Sequence, residues 1–213
     1  MTPAPPLEAL QRTVDLALAE DLGVAGDITT DSVIPPGTSI RAEIRSRQAG
    51  RIAGVDVIAL TLARFPEPAT VTIIAADGSD VAPGDVVARL SGSARTVLSA
   101  ERTILNVLGR LSGIATATAA AVRLVAGTRA VIKDTRKTTP GLRTLERYAV
   151  AMGDGVNHRF GLHDAVLIKD NHIGIAGSIT VAVERARSRL GAAIPVQVEV
   201  ESMDELEEAL RCK

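Results

Sequence analysis

The sequence predicts an α/β chain, and three observations carry that expectation. The second half alternates short apolar stretches with longer segments of helical periodicity; the first half mixes an amphipathic helix with short strands and tight turns; and a hydrophobic content of 46% over 213 residues is ample for a packed core. Leu7, Leu10, Val14 and Leu18 recur at three- to four-residue intervals behind Pro5 and Pro6, which predicts a helix over 7–21 ended by Gly23. From Arg41 the pattern turns to alternation, with Ala42 and Ile44 set between charges, and a second short strand is expected across 50–54. A helix over 55–65 follows. Strands at 71–76 and 86–90 are then separated by the turn signals Asp77-Gly78 and Pro83-Gly84-Asp85.

After Gly92 the texture becomes helical and rich in alanine. Leu98, Ile104, Leu105, Leu108 and Leu111 share a face of one helix, and a second helix is expected over 114–125, with a change of domain close by. Beyond it come a strand at 130–132, a helix at 142–152, a strand at 165–168, a helix at 179–190, a strand at 196–200 and a helix at 204–210. This alternation implies a parallel sheet covered by helices, either doubly wound or a (β/α)₈ barrel.

Composition excludes several classes of function. Twenty-four basic and 25 acidic residues leave a net charge of -1, so no overall field draws the chain to nucleic acid or an anionic membrane, and any anion site is local. Phe65, Tyr148 and Phe160 are the whole aromatic complement, which removes the stacking platforms of single-strand binders. Cys212 stands alone and no secretory signal pattern precedes the first helix, so a cytoplasmic protein is expected. The apolar runs at 73–76 and 165–168 fall far short of the roughly 20 residues of a membrane span.

In parallel α/β folds ligands bind beyond the C-terminal ends of the strands. There the sequence places Lys133, Asp134, Thr135, Arg136 and Lys137 after one strand, and Lys169, Asp170, Asn171 and His172 after the next. Glu199 and Glu201 lie on the third, and the loop at 153–161 adds Asn157, His158 and Arg159. Such a set suits a polyanionic ligand. Each cluster also has a plainer explanation. The Asp134–Lys137 run fits an ordinary polar loop, although the hydroxyls and proline of Thr138-Thr139-Pro140 at a helix start favour exposed backbone donors. Lys169 could simply pair with Asp170. The two glutamates fit an exposed edge strand, and Arg102 fits a helix-surface charge beside Glu101. No zinc-ligand spacing, GxGxxG or Walker A string occurs.

Taken together, SAERTILNVLGRLSGIAT, IKDTRKTTPGLRTLERYAV, GDGVNHRFGLHDAVLIKDNH and VEVES resemble the quinolinate phosphoribosyltransferase family, in family order and from about Leu7 to the end. The resemblance implies an N-terminal α/β sandwich, 1–110, followed by the first part of a C-terminal (β/α) barrel of the type II phosphoribosyltransferase kind, 111–213. It implies that Arg136, His158, Arg159 and Lys169 hold the two carboxylates of quinolinate, with Thr135 in the same loop. Lys137 then faces phosphoribosyl pyrophosphate, Glu199 lies near the ribose and Mg²⁺, Glu201 is the weaker acidic candidate, and Arg102 is supplied by a neighbouring subunit of a homodimer or hexamer.

The implied reaction is phosphoribosyl transfer to quinolinate with decarboxylation, giving nicotinate mononucleotide, pyrophosphate and CO₂ for NAD biosynthesis, with Lys137 and Glu199 as the catalytic pair. The family pattern continues past Lys213 with a second acidic residue and glycine-rich loops for the 5'-phosphate, so this chain alone is expected to have little or no turnover and poor stability, with acid binding outlasting turnover. The alternatives are an inactive or dicarboxylate-binding chain of the same fold and a related transferase acting on another acid, such as the one associated with molybdenum transport.

Overall fold

The computed structural model describes residues 7–191 and 193–212. Among them the elements run α1 (Leu7–Leu22), α2 (Ile28–Val33), β1 (Ser39–Arg45), β2 (Gly50–Arg51), α3 (Asp56–Leu62), β3 (Ala69–Ile73), β4 (Asp80–Val81), β5 (Val86–Ser93) and α4 (Ala94–Leu124). Then come α5 (Arg143–Met152), β6 (Val166–Ile168), α6 (Asp170–Ala176), α7 (Ile179–Leu190), β7 (Val196–Val198) and α8 (Met203–Arg211). The mixture is the α/β fold that the sequence predicts. Pro5 and Pro6, expected to open the first helix, lie outside the described residues. The chain divides into two compact units, the first ending at Asn157 and the second beginning at His158.

In the first unit β1, β5 and β3 form an antiparallel sheet in that order, with Ala42 opposite Leu90 and Val71 opposite Leu90 on the other side. Alternation in β1 leaves Ile40, Ala42 and Ile44 partly buried against the core while the charged residues between them are exposed. The core is completed by Val14 of α1, Ile58 and Leu62 of α3, and Val97, Ile104 and Leu108 of α4. Gly92 is required where it stands. With φ at 142°, a Cβ there would meet the Pro68 carbonyl oxygen at 2.5 Å and Ala69 Cα at 2.6 Å.

One helix replaces the two expected over 98–125: α4 runs unbroken through Gly109 and Gly113. Each mid-helix glycine costs roughly 1 kcal/mol relative to alanine. The buried stripe of Ile104, Leu108, Leu111, Ala115 and Ala119 continues at three- to four-residue spacing across both glycines, and burial of a leucine or isoleucine contributes about 1.5–3 kcal/mol. Packing therefore overrides local propensity. At 31 residues α4 is, by length and composition alone, long and apolar enough to cross a bilayer, a criterion that a long core helix also meets. Its apolar composition is accounted for by the core that it forms, with buried Thr96 and Thr103 on the same face.

The strand expected at 130–132 is absent. A single parallel bridge joins Lys133 to Val156, with Val156 N–H donating to Ile132 O (2.8 Å) and Asp134 N–H to Val156 O (3.2 Å). The partner segment turns away through Gly153, Asp154 and Gly155, where Asp154 is the one described non-glycine residue with positive φ, at 64°. A longer ladder has no partner there. In the second unit β6 and β7 pair in parallel, Val166 opposite Val196 and Ile168 opposite Val198, as a βα series requires. Ile168, Ile179 and Val183 are its buried centre. β7 ends at Val198, so Glu199 and Glu201 are not strand residues. Asp170, Asn171 and His172 belong to α6 rather than to a loop.

Candidate functional site

In the first unit the Lys133–Thr139 loop is tied down on several sides. The Asp134 carboxylate, only 5% exposed, accepts from Asn157 Nδ2 at 2.7 Å and lies 3.4 Å from Arg147 Nη1 of α5, which joins the loop to the 153–157 turn. Thr135 Oγ1 accepts the N–H of Lys137 at 3.1 Å, a one-turn closure that leaves the lysine exposed. The Arg136 carbonyl accepts from Thr138 N–H (3.0 Å) and from Arg143 Nη2 (3.3 Å), while Arg143 Nε donates to Thr138 Oγ1 (3.0 Å). Arg136 Nε is itself buried and has no hydrogen-bond partner. A buried charged donor left unmet costs at least about 1–3 kcal/mol, and an anion in the loop would recover it.

Glu146 of α5 closes the far side of the same loop. Its carboxylate accepts the Thr139 N–H at 3.1 Å and the Arg110 guanidinium of α4, whose Nη2 also donates to Thr139 Oγ1. Burial alone would raise this carboxyl, but the hydrogen bonds from Arg110 and Thr139 outweigh it and hold it below its ordinary range.

Arg102 stands apart from that loop. It is exposed on α4, eight residues before Arg110 and so about 12 Å away along the helix. It lines an open groove of 670 Å³ with Glu101 and with Glu43, Arg45 and Arg47 of the β1 side, over a floor of Ile44, Leu90 and Ile104.

In the second unit Arg159 Nη1 donates to the Ala165 carbonyl at 3.0 Å, just before β6, and the Arg159 N–H donates to His158 Nδ1 at 2.5 Å. Asp164 closes the turn behind them by accepting the N–H groups of Phe160 (2.5 Å) and Gly161 (2.8 Å). Lys169 Nζ donates to Glu199 Oε2 at 2.8 Å, both side chains being about half exposed. Lys169 is therefore paired with Glu199 and not with the adjacent Asp170. The Glu199 N–H donates to the Ile168 carbonyl (2.9 Å), which places the pair at the C-terminal ends of β6 and β7. Glu201 lies in the approach to α8, where its N–H is taken by Glu205 Oε2 (2.6 Å) and Ser202 Oγ accepts from Glu205 N–H (3.2 Å). The Ser202 cap on the Glu205 N–H is legible in the Ser202-x-x-Glu205 spacing.

The second unit is a parallel α/β pair with an ion pair at its strand ends, and the first unit carries a cationic loop with an unmet guanidinium N–H. Residues 27–112 match the family model for the quinolinate phosphoribosyl transferase N-terminal domain, and residues 114–213 match its C-terminal domain. A nicotinate-nucleotide pyrophosphorylase [carboxylating] of Mycobacterium leprae is 43% identical over 205 residues, 95% of this chain and 72% of that protein. A probable nicotinate-nucleotide pyrophosphorylase [carboxylating] of Bacillus subtilis is 43% identical over 94% of this chain and 69% of its own length. The solved nicotinate-nucleotide pyrophosphorylase of Francisella tularensis superposes with a TM-score of 0.93 at 38% identity, covering 99% of this chain and 74% of that one. The chain belongs to the quinolinate phosphoribosyltransferase family.

Proposed function

We propose that the chain transfers the phosphoribosyl group of phosphoribosyl pyrophosphate to quinolinate with loss of CO₂, yielding nicotinate mononucleotide and pyrophosphate in NAD biosynthesis. The observation that carries this reading is the match of both domain families across 27–213, alongside relatives named for the carboxylating pyrophosphorylase reaction. In this reading the pyridine nitrogen attacks the anomeric carbon while the bond to pyrophosphate breaks and its electron pair leaves with the pyrophosphate. The resulting pyridinium accepts the electrons of the 2-carboxylate bond as CO₂ departs, and a solvent proton replaces it. No protein nucleophile is needed; orientation and well-placed cations supply the catalysis.

We assign the carboxylates of quinolinate to Arg136, His158, Arg159 and Lys169, with Thr135 shaping the loop. The unmet Nε of Arg136 supports that assignment, because a carboxylate is the acceptor it lacks. Lys137, exposed beside it, is assigned to phosphoribosyl pyrophosphate, and Lys137 and Glu199 are the pair on which turnover depends most. Mg²⁺, brought in on the pyrophosphate, would supply charge neutralisation on the leaving group, and Glu199 is the residue that would help to hold it. No cluster of three or more potential metal ligands occurs among the described residues. An ion carried on substrate phosphates needs only one or two protein carboxylates, and the half-exposed Glu199 fits that demand. Arg102, open in its groove, fits donation to a second subunit of a dimer or hexamer in the cytoplasm.

The test is product analysis. With phosphoribosyl pyrophosphate and Mg²⁺, quinolinate should give nicotinate mononucleotide and CO₂, and nicotinate should give nothing. Nicotinate mononucleotide formed from nicotinate without CO₂ would overturn the assignment.

A further inference from the structure

We propose that Glu146, acting with Arg110, is a positioning residue for the phosphoribosyl pyrophosphate side of the site. Three observations converge on it. The Glu146 side chain is 11% exposed although it is a carboxylate. Its charge is matched by Arg110 from α4, 36 residues earlier in the chain, with Arg110 Nε 3.1 Å from Glu146 Oε1. Its other oxygen accepts the Thr139 N–H at 3.1 Å, and Arg110 Nη2 holds the Thr139 hydroxyl as well. One residue of the loop is thus gripped through both backbone and side chain by an ion pair spanning two helices. Taking the Glu146 carboxylate largely out of water is costly, so a purely structural joint would be served as well by an apolar side chain there. What the pair adds is direction, since it fixes where the chain leaves Lys137 and Thr138.

The grip is unequal along the loop, and that makes the role distinguishable. Arg136 is anchored separately, through its carbonyl, by Arg143 and Thr138. Lys137 has the one-turn bond to Thr135 on its N-terminal side; on the other, Thr138 is held by Arg143 and Thr139 by Glu146 and Arg110. Loosening Glu146 therefore disturbs Lys137 more than Arg136. This inference rests on the assignment of Lys137 to phosphoribosyl pyrophosphate and of Arg136 to quinolinate.

The experiment titrates the full chain and its Glu146→Ala, Glu146→Gln and Arg110→Lys variants with phosphoribosyl pyrophosphate and with quinolinate separately, and records melting of each. Glu146→Ala should weaken phosphoribosyl pyrophosphate binding tenfold or more while quinolinate affinity changes less than threefold. Glu146→Gln keeps an acceptor for the Thr139 N–H and should recover part of the loss. Arg110→Lys, a half-exposed position where the fold is safe, keeps the charge but not the second donor and should show a smaller loss of the same kind. Equal affinities in all variants, or losses for both ligands in parallel with melting temperature, would overturn the proposal. Failure of the unsubstituted chain to bind phosphoribosyl pyrophosphate would instead defeat the functional reading beneath it.

Discussion

Arg136 and Glu146 present opposite electrostatic problems around one loop: a guanidinium Nε with no acceptor, and a buried carboxylate held by donors from Arg110 and Thr139. Truncation of Arg136 to alanine should cost quinolinate binding about 1.5–3 kcal/mol, the worth of hydrogen bonds to a charged group, or roughly 10- to 150-fold in affinity. Calorimetric titration checks this, and a change under threefold would remove Arg136 from the carboxylate set. For Glu146 the folded state holds the carboxyl below its ordinary value of 4.5. Its contribution to stability is therefore complete above that value and lost as pH falls through the lower folded value. Glu146→Gln should flatten the fall of melting temperature on the acid side of about pH 4.5, and an unchanged acid limb would contradict it. The cationic loop residues were legible in the sequence because they form one contiguous string. Glu146 and Arg110 were not, since each lies on a helix and their meeting is set by packing between segments 36 residues apart.

Among the elements, α7 was legible to the residue: Ser178 caps it through the Val181 N–H, Gly191 ends it in a positive-φ turn, and Ile179 and Val183 share its buried face. α4 was not, because Gly109 and Gly113 look like stop signals in a sequence and only the unbroken buried stripe shows that they are not. Ile104→Ala, at a fully buried position of that stripe, should lower stability by about 2–5 kcal/mol, read from denaturant unfolding; a cost below 1 kcal/mol would mean that α4 is not central to the core. The end of α5 is equally constrained. A Cβ on Gly153 would meet the Ala115 carbonyl oxygen of α4 at 2.5 Å and Thr118 Cβ at 2.6 Å. Gly153→Ala should therefore cost about 1–3 kcal/mol through overpacking, and an unaltered melting temperature would show that the α4–α5 contact is looser than this geometry. The strand at 130–132 failed for a third reason: strand pairing needs a partner, and no periodicity in one segment reports how soon the other segment turns away.

For the whole molecule, family, fold and candidate residues come together in a chain spanning 72% and 69% of the lengths of its M. leprae and B. subtilis relatives. The assignment of Arg102 to a neighbouring subunit has its own consequence. Neither Arg102→Ala nor Lys137→Ala should turn over well alone, but mixing them under subunit exchange should restore activity, since one composite site then carries neither lesion. Mixtures no better than either parent, with exchange demonstrated, would place Arg102 outside the site. The central claim, decarboxylating transfer to quinolinate, is tested most directly by following quinolinate labelled in its 2-carboxylate in the presence of phosphoribosyl pyrophosphate and Mg²⁺. One labelled CO₂ should be released for each nicotinate mononucleotide formed, and none without phosphoribosyl pyrophosphate. A nucleotide product that keeps the label, or label lost without phosphoribosyl pyrophosphate, would contradict the account.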